Sequence, residues 1–135
     1  MLGDILFEEK GATSGVRVLS LEGGETTVEV SLQTEGKIRG VTQNSMWTYS
    51  SKTRADGSIY GEGKGFMTTK DGDVIQMLGS GAAKAPGADG IVHYRGAIYF
   101  NTASKKFSDL NGAVGVHEYD VTPDGKTSAK VWEWK

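Results

Sequence analysis

Glycine occupies every second position in two successive stretches of the sequence, first at Gly61, Gly63 and Gly65 and then at Gly79 and Gly81. Alternate residues of a β-strand point to the same face, so each stretch would place its glycines together on one face. Strands without side chains on one face bend sharply and leave space beside that face, as a closing barrel requires. The pattern therefore predicts a strongly curved antiparallel sheet with open space on its glycine face.

Three Asp-Gly pairs, Asp56-Gly57, Asp71-Gly72 and Asp124-Gly125, separate stretches in which apolar and polar residues alternate. Both residue types tolerate the positive φ of a primed hairpin turn, and glycine tolerates it best. Strands joined by such short turns pair with their neighbours in chain order. The three pairs therefore predict sequential antiparallel hairpins.

The clearest strand pattern covers residues 90–100, where β-branched and aromatic residues recur without a run of helix formers, and it predicts a central strand. Seven further strands are predicted, the first with a bulge or corner at 11–15: residues 4–20, 26–34, 39–53, 59–69, 74–83, 113–121 and 127–134. We expect a turn at Glu35-Gly36. Between 101 and 111, Ser104 would cap a short helical turn whose Phe107 and Leu110 plug one end.

Eight strands with mostly short connections predict an all-β fold, one domain over residues 1–135. The arrangement that leaves no exposed edge is an eight-stranded antiparallel up-and-down β-barrel, with one short helical turn before the last two strands. A two-sheet sandwich is the alternative. The pattern leaves open which face of strands 58–69, 90–101 and 127–135 points inward.

Composition excludes several classes of protein. The chain of 135 residues has no cysteine, so disulfides and thiolate metal sites are ruled out. The 15 basic and 17 acidic residues are dispersed, which argues against a nucleic-acid partner because phosphate binding needs a concentrated basic surface. The first ten residues lack a secretory pattern, and no stretch has membrane-spanning length. We expect a soluble cytoplasmic protein without a membrane partner.

No cofactor motif stands out. The two histidines, His93 and His117, fall on neighbouring predicted strands, but no third ligand accompanies them, so we expect no metal. The Gly79-Ser80-Gly81 run lies inside a predicted strand, not at the strand-to-helix turn of a nucleophilic serine. The alternating glycines of 61–65 lack the spacing and the following helix of a phosphate-binding loop.

Two charged residues, Arg95 and Glu118, lie in otherwise apolar stretches of adjacent predicted strands. A charge that points into a barrel needs a counter-charge or a ligand. If residues of equal parity share a face, Glu118 points the same way as Ile98 and Phe100, and Arg95 points the opposite way. Glu118 is then the candidate catalytic residue. The alternative is a structural inward carboxyl group and an outward arginine.

Five segments of the C-terminal half form a recognisable set: His93-Tyr94-Arg95-Gly96-Ala97 with Phe100, Leu110-Asn111-Gly112, Gly115-Val116, Glu118-Tyr119 and Trp132-Glu133-Trp134-Lys135. They resemble a group of small uncharacterised bacterial proteins that end in a Trp-Glu-Trp-Lys motif. More distantly, the strand order resembles the allene oxide cyclase-like barrels. The second resemblance implies an apolar cavity that holds a small unsaturated or polyketide-like ligand and steers its ring closure. No cyclase catalytic residue matches a position in this sequence.

Aromatic residues and methionines are numerous enough to line such a cavity. The predicted ligand-binding residues, with the two charged candidates, are Trp47, Tyr49, Phe66, Met77, Tyr94, Arg95, Phe100, Glu118, Trp132 and Trp134. An eight-stranded barrel holds either a core or one small ligand, and the glycine-rich strands favour the ligand. We therefore expect a barrel that binds a small, mainly apolar molecule, with Glu118 as a polar contact.

Two further interpretations stay open. The protein could be an enzyme of the cyclase or isomerase type, in which Glu118 acts as acid, base or electrostatic stabiliser. It could instead be an assembly module with a solid core. In that case outward aromatic residues such as Tyr99 and Tyr119 would form the contact surface of a homo-oligomer.

Overall fold

The computed structural model describes all residues 1–135 and shows eight antiparallel strands that close in chain order into a barrel. The strands are β1 (Leu2–Ser20), β2 (Thr26–Ile38), β3 (Val41–Thr53), β4 (Ile59–Thr69), β5 (Val74–Ala83), β6 (Val92–Thr102), β7 (Val114–Val121) and β8 (Lys126–Trp134). Strand β1 pairs with both β2 and β8, which closes the sheet. The predicted up-and-down barrel is confirmed, and the sandwich alternative is wrong.

Helical structure is limited to two three-residue 3-10 turns, Glu22–Gly24 and Ser108–Leu110. Neither is long and apolar enough to cross a membrane. The second turn plugs one end of the barrel as predicted, since Phe107 and Leu110 are almost completely buried. Ser104 does not cap it, because the Ser104 hydroxyl donates to Asp73 at 2.7 Å.

The three Asp-Gly hairpins form where the sequence predicts them, but the type of turn differs from the predicted primed turn. Only the glycines have positive φ, at 87°, 91° and 86° for Gly57, Gly72 and Gly125. In the first hairpin the Gly57 N–H donates to the Arg54 carbonyl, and the Arg54 N–H donates to the Ser58 carbonyl. This is a tight turn followed by a glycine bulge, so the aspartate does not need the left-handed conformation.

The hairpin between β2 and β3 corrects the predicted turn at Glu35-Gly36. Strand β2 continues to Ile38, and the turn is Arg39-Gly40, in which both residues have positive φ, 48° and 78°. Gly36 lies inside the strand because the β1 backbone passes close by, and a Cβ there would lie 1.9 Å from the Glu8 carbonyl oxygen. The Arg39 side chain forms an ion pair with Asp109 in the plug.

The pairing register places the alternating glycines on the inner face. Gly61 lies opposite Gly81, and Gly63 lies opposite Gly79, so β4 and β5 share a patch without side chains. The main hydrophobic core packs against the plug and includes Phe7, Ile38, Met67, Met77, Phe100, Phe107 and Val131. A smaller cluster of Ile59, Ala83 and Tyr94 lies apart from it.

The two paired glycines Gly63 and Gly79 provide a test of this packing. A Cβ on Gly63 would lie 2.3 Å from the Thr48 carbonyl oxygen, whereas a Cβ on Gly79 would meet Trp47 at an ordinary 3.4 Å. We expect Gly63→Ala to lower the free energy of unfolding by about 1–3 kcal/mol because rigid backbone must move. Gly79→Ala should leave it unchanged or raise it by up to about 1 kcal/mol. Urea unfolding of both variants measures the difference, and equal effects would contradict the close approach.

Candidate functional site

The barrel interior contains a cavity of about 90 Å³. All eight strands contribute to its wall, and the glycines of β4 and β5 form one side. A cavity on the order of 150 Å³ can admit benzene, so this space is smaller than a benzene site, and a whole ring would fit only with small movements of the surrounding side chains. The interior is therefore not solid, and the assembly-module interpretation loses its premise of a solid core.

The rings of the barrel occupy part of the space that the glycines leave. The Trp47 indole lies across two of these glycines. A Cβ on Gly65 would lie 2.6 Å from Trp47 Cδ2, and a Cβ on Gly79 would lie 3.4 Å from the indole ring. A Cβ on Gly61 would lie 3.2 Å from the Tyr94 ring, and one on Gly81 would lie 3.1 Å from the His117 ring. The predicted open space beside the glycine face is thus shared between these rings and the cavity.

Three tyrosines form the aromatic part of the wall. Their ring centroids lie 5.6–6.0 Å apart, with Tyr94 stacked on Tyr119 and Tyr49 at the edge of both. The Tyr49 and Tyr119 hydroxyls are 3.2 Å apart, and the Tyr94 hydroxyl lies 2.8 Å from Ser51 Oγ. Burial raises the pKa of Tyr49 to about 12 and also raises the pKa of Tyr94 and Tyr119. All three hydroxyl groups therefore keep their protons at neutral pH.

Glu9 is the one carboxyl group among the buried residues, with 4% of its surface exposed. Its cross-strand neighbours, Gly36 and Ala129, are small, so its side chain reaches the cavity between them. Burial raises the pKa of Glu9, and the side chains of Ser45, Gln43 and Thr34 oppose that rise only in part. The site therefore favours the protonated, uncharged carboxyl group.

The hydrogen bonds around Glu9 are consistent with a protonated carboxyl group. Ser45 Oγ contacts Glu9 Oε2 and also lies 3.2 Å from Gln43 Oε1. A serine hydroxyl has one proton and can serve only one of these two acceptors. A protonated Glu9 can donate to Ser45 while Ser45 donates to Gln43. An ionised Glu9 can accept from Ser45 while the Gln43 amide group, whose nitrogen is otherwise buried without a partner, donates to Ser45, so these contacts fit both forms of Glu9.

His117 points into the barrel from β7, and its tautomer is fixed by one contact. His117 Nε2 lies 2.9 Å from the Ser80 carbonyl oxygen, which can only accept, so Nε2 carries the proton. Nδ1 is then an acceptor, and it is buried without a hydrogen-bond partner. Burial lowers the pKa of His117, and nearby Arg95 lowers it further. The imidazole is therefore neutral at pH 7.

Two threonines add polar atoms to the same wall. Thr34 and Thr127 lie on either side of Gly11, one on β2 and the other on β8. Both residues line the cavity, and both hydroxyl oxygens are buried without a partner. Natural proteins leave few buried polar groups unpaired, so each of these atoms calls for an explanation.

The structure divides the residues that the sequence predicts for ligand binding. Trp47, Tyr49 and Tyr94 line the cavity. Met77 and Phe100 also point inward, but they belong to the core beside the plug. The other five point outward or lie on the surface, away from the cavity: Phe66, Arg95, Glu118, Trp132 and Trp134.

The predicted orientation of Glu118 is wrong. Strands β6 and β7 pair with Arg95 opposite Glu118 and Ile98 opposite Gly115, so β7 is shifted by one residue from the expected parity. Glu118 therefore faces outward, where Oε2 lies 3.9 Å from Arg95 Nε. The same shift turns His117 and Tyr119 inward, which removes Tyr119 from the predicted outer surface, while Tyr99 is exposed as predicted.

Sequence reasoning missed the polar residues that line or support this cavity, namely Glu9, Thr34, Gln43, Ser45, His117 and Thr127. The alternation of residues along each strand contained information about these positions. Glu9 is two residues from the apolar Phe7, and Ser45 is two residues from Trp47. Because strand residues two apart share a face, an inward aromatic residue predicts that its polar neighbour also points inward.

The two histidines lie on opposite faces of the sheet. His93 faces outward, and its Nδ1 lies 2.8 Å from Asp120 Oδ1. His117 faces the cavity. They therefore do not converge on a common site.

Comparison with known proteins identifies the fold. No protein-family model matches this sequence, and neither does any curated protein. Among solved structures, the chain is similar to a conserved protein of unknown function from Rhodopseudomonas palustris (TM-score 0.82, 16% identity, 98% of this chain and 97% of that chain). It is also similar to a β-barrel-like protein from Acinetobacter baumannii AYE (0.83, 15%, 100% and 96%). An enzyme from Penicillium herquei is similar at TM-score 0.69 and 19% identity, over 96% and 92%.

These likenesses show that the barrel architecture recurs in uncharacterised proteins. At such identities they establish the fold alone. The motif set of the C-terminal half and the resemblance to allene oxide cyclase-like barrels remain predictions.

The raised pKa of Glu9 predicts a pH-dependent effect of Glu9→Gln. The folded state holds the Glu9 proton more tightly than the unfolded state, so the stability contributed by this group is complete below about pH 4.5 and falls as the pH rises through the folded pKa. The Glu9→Gln variant has no ionisable group at this position, so its stability does not fall with pH in this way. We expect its free energy of unfolding, relative to the wild type, to increase from pH 4 to pH 8 by on the order of 1 kcal/mol or more.

Urea unfolding across that range measures this difference, and the titration of His117 cancels because both proteins retain it. Glu118→Gln, which removes an outward carboxyl group from the same sheet, is the matched control for the change of charge. A flat difference for Glu9→Gln would mean that Glu9 is ionised in the folded protein.

Proposed function

We propose that this protein binds a small, mainly apolar molecule inside its barrel. The observation that carries the proposal is the interior cavity, which combines aromatic walls with buried polar atoms that have no partner in the protein. Ligand sites are typically enclosed apolar spaces with a few well-placed polar groups. A core that served stability alone would gain from apolar side chains at these polar positions.

The wall has the composition that such a ligand requires. Trp47, Tyr49, Tyr94 and Tyr119 present ring surfaces, and Leu32, Ile98 and Val131 add aliphatic surface. Aromatic rings bind flat apolar molecules through large contact areas at low entropic cost. The polar contacts to the ligand come from Glu9 and the neighbouring hydroxyl groups. Glu118 makes none of them, because it faces outward.

Tryptophan fluorescence tests ligand binding because the three tryptophans occupy different places. Trp47 lines the cavity, whereas Trp132 and Trp134 do not. In the double variant Trp132→Phe/Trp134→Phe, all tryptophan emission comes from Trp47. Titration with a panel of cyclic terpenoids and short fatty acids should shift that emission and raise the melting temperature for at least one uncharged member of the panel.

Filling the cavity provides the control for this titration. Ala129→Leu places a larger side chain in the wall and should abolish both responses, while Ala82→Leu, at an exposed outward position, should preserve them. No emission shift and no thermal stabilisation with any member of the panel would contradict a binding function.

A second candidate function is an enzyme of the cyclase or isomerase type. It is supported by two groups in one cavity whose pKa values are displaced in opposite directions, raised for Glu9 and lowered for His117. Such a pair is suited to general acid and general base roles near neutral pH. The barrel that is an enzyme in Penicillium herquei supports this candidate at the level of fold alone.

In this mechanism the neutral His117 Nδ1 removes a proton from the substrate while Glu9 delivers its proton to another atom of it. The two groups then exchange protons with solvent and return to their starting forms. Once a substrate is found, Glu9→Gln should reduce turnover by at least about a hundredfold and leave binding intact, because general acid catalysis contributes on that scale. Glu118→Gln should change neither quantity. Equal losses in both variants would contradict this assignment.

A further inference from the structure

The unpaired polar atoms of the cavity specify which hydrogen bonds a ligand must make. His117 Nδ1 can only accept, because Nε2 already donates to the Ser80 carbonyl. The Thr127 hydroxyl can donate and is buried without a partner. The Thr34 hydroxyl is also buried and makes no well-formed hydrogen bond, but it lies close enough to Glu9 to lower the pKa of that carboxyl group, so Thr127 is the freer of the two donors. The wall therefore offers one fixed acceptor and two hydroxyl donors.

The cavity wall carries no stable charge. No lysine or arginine lines it. Burial favours the uncharged forms of Glu9 and His117, and the three tyrosines keep their protons. The carboxyl group of Glu62 is directed to the Tyr60 hydroxyl on the outer face, at 3.1 Å. A charged ligand would leave water without meeting an existing counter-charge, which is costly.

The positions of these groups fit a compact molecule with polar atoms on more than one side. Thr34 and Thr127 flank Gly11 on β1, where the neighbouring β2 backbone passes too close for a side chain, so both threonines lie on the β1–β2–β8 side of the wall. His117 lies on β7, separated from β1 by β8. The aromatic rings of Trp47 and the tyrosines complete the enclosure.

From these groups we infer the class of ligand: an uncharged molecule no larger than one six-membered ring with small substituents, which the wall admits by small side-chain movements. It donates a hydrogen bond from a hydroxyl or N–H group to His117 Nδ1 and accepts one from the Thr34 or Thr127 hydroxyl through a carbonyl or hydroxyl oxygen. This inference rests on the proposed binding function and specifies its ligand. Such a ligand provides hydrogen-bond partners for His117 Nδ1 and for the threonine hydroxyls, whereas an entirely apolar ligand would leave these atoms without partners.

Calorimetry of the intact protein at pH 7 with matched ring compounds tests this class. The probe with both groups is 4-hydroxycyclohexanone. Its comparators are 4-methylcyclohexanone, which lacks the donor, methylcyclohexane, which lacks both groups, and the charged cyclohexanecarboxylate and cyclohexylammonium. We expect 4-hydroxycyclohexanone to bind about five- to tenfold more tightly than 4-methylcyclohexanone, the value of one hydrogen bond. The two charged rings should bind weakest.

Single substitutions assign the contacts. His117→Phe should remove the difference between the hydroxyketone and the methylketone, and the outward His93→Phe should preserve it. Thr34→Val and Thr127→Val together should weaken both ketones several-fold without changing methylcyclohexane, while Thr42→Val, at an exposed position, should have no effect. Should His117→Phe fail to fold, the ¹⁵N shift of Nδ1 in the wild-type protein must move on saturation with 4-hydroxycyclohexanone. An unchanged shift would overturn the inference.

The other outcomes separate this inference from the function on which it rests. Methylcyclohexane binding as tightly as the hydroxyketone would overturn the polar ligand class and leave a binding barrel in place. Tightest binding of cyclohexylammonium, with affinity that rises with pH as Glu9 ionises, would show a cation site instead. Tightest binding of cyclohexanecarboxylate would likewise overturn the inference that the ligand is uncharged. Binding of no probe, together with no response in the wider terpenoid and fatty-acid panel, would remove the binding function itself.

Discussion

The close approach of β3, β4 and β5 is the constraint on which the rest of this barrel depends. Where β4 passes β3, the space beside Gly63 is filled by the Thr48 carbonyl and the Tyr49 backbone, so no side chain fits. On the other edge of β4, Gly61 and Gly63 meet Gly81 and Gly79. This contact lets the sheet curl tightly, and the rings of Trp47, Tyr94 and His117 can then lie over bare backbone. The cavity is the space that those rings leave.

Enclosure has the same consequence for every ionisable group that reaches the cavity, because burial disfavours the charged form. It raises the pKa of Glu9 and of the tyrosines and lowers the pKa of His117. Glu9 thus favours the folded state at acidic pH, whereas the contribution of His117 is complete above the ordinary histidine pKa of 6.5 and is lost as the pH falls through its lowered pKa. At neutral pH the result is a polar interior without charge. Such an interior can recognise hydrogen-bonding groups on a small molecule while it excludes ions.

Most of the architecture could be predicted, and the failures have identifiable causes. The Asp-Gly hairpins were predicted correctly, because turn chemistry is local. Gly36 was misread as a turn residue because its neighbour across the sheet, the Glu8 backbone, is distant in sequence. The face of β7 was predicted wrongly because the connection before it is irregular. Asn111 bonds both the N–H and the carbonyl of Thr102 there and sets a register that no pattern of alternation reveals.

The sequence by itself determined the number of strands, their order, the positions of the three Asp-Gly hairpins and the plug, because alternation, glycine placement and turn residues act between near neighbours. It also identified Trp47, Tyr49 and Tyr94 as candidate cavity residues, while it left open which face of the strand that carries Tyr94 points inward. Only the tertiary structure decided that Glu9 and His117 meet the same cavity and that Glu118 does not. That outcome depends on the pairing of β6 with β7 and on closure between β1 and β8, and a one-residue slip in either would exchange the inner and outer faces.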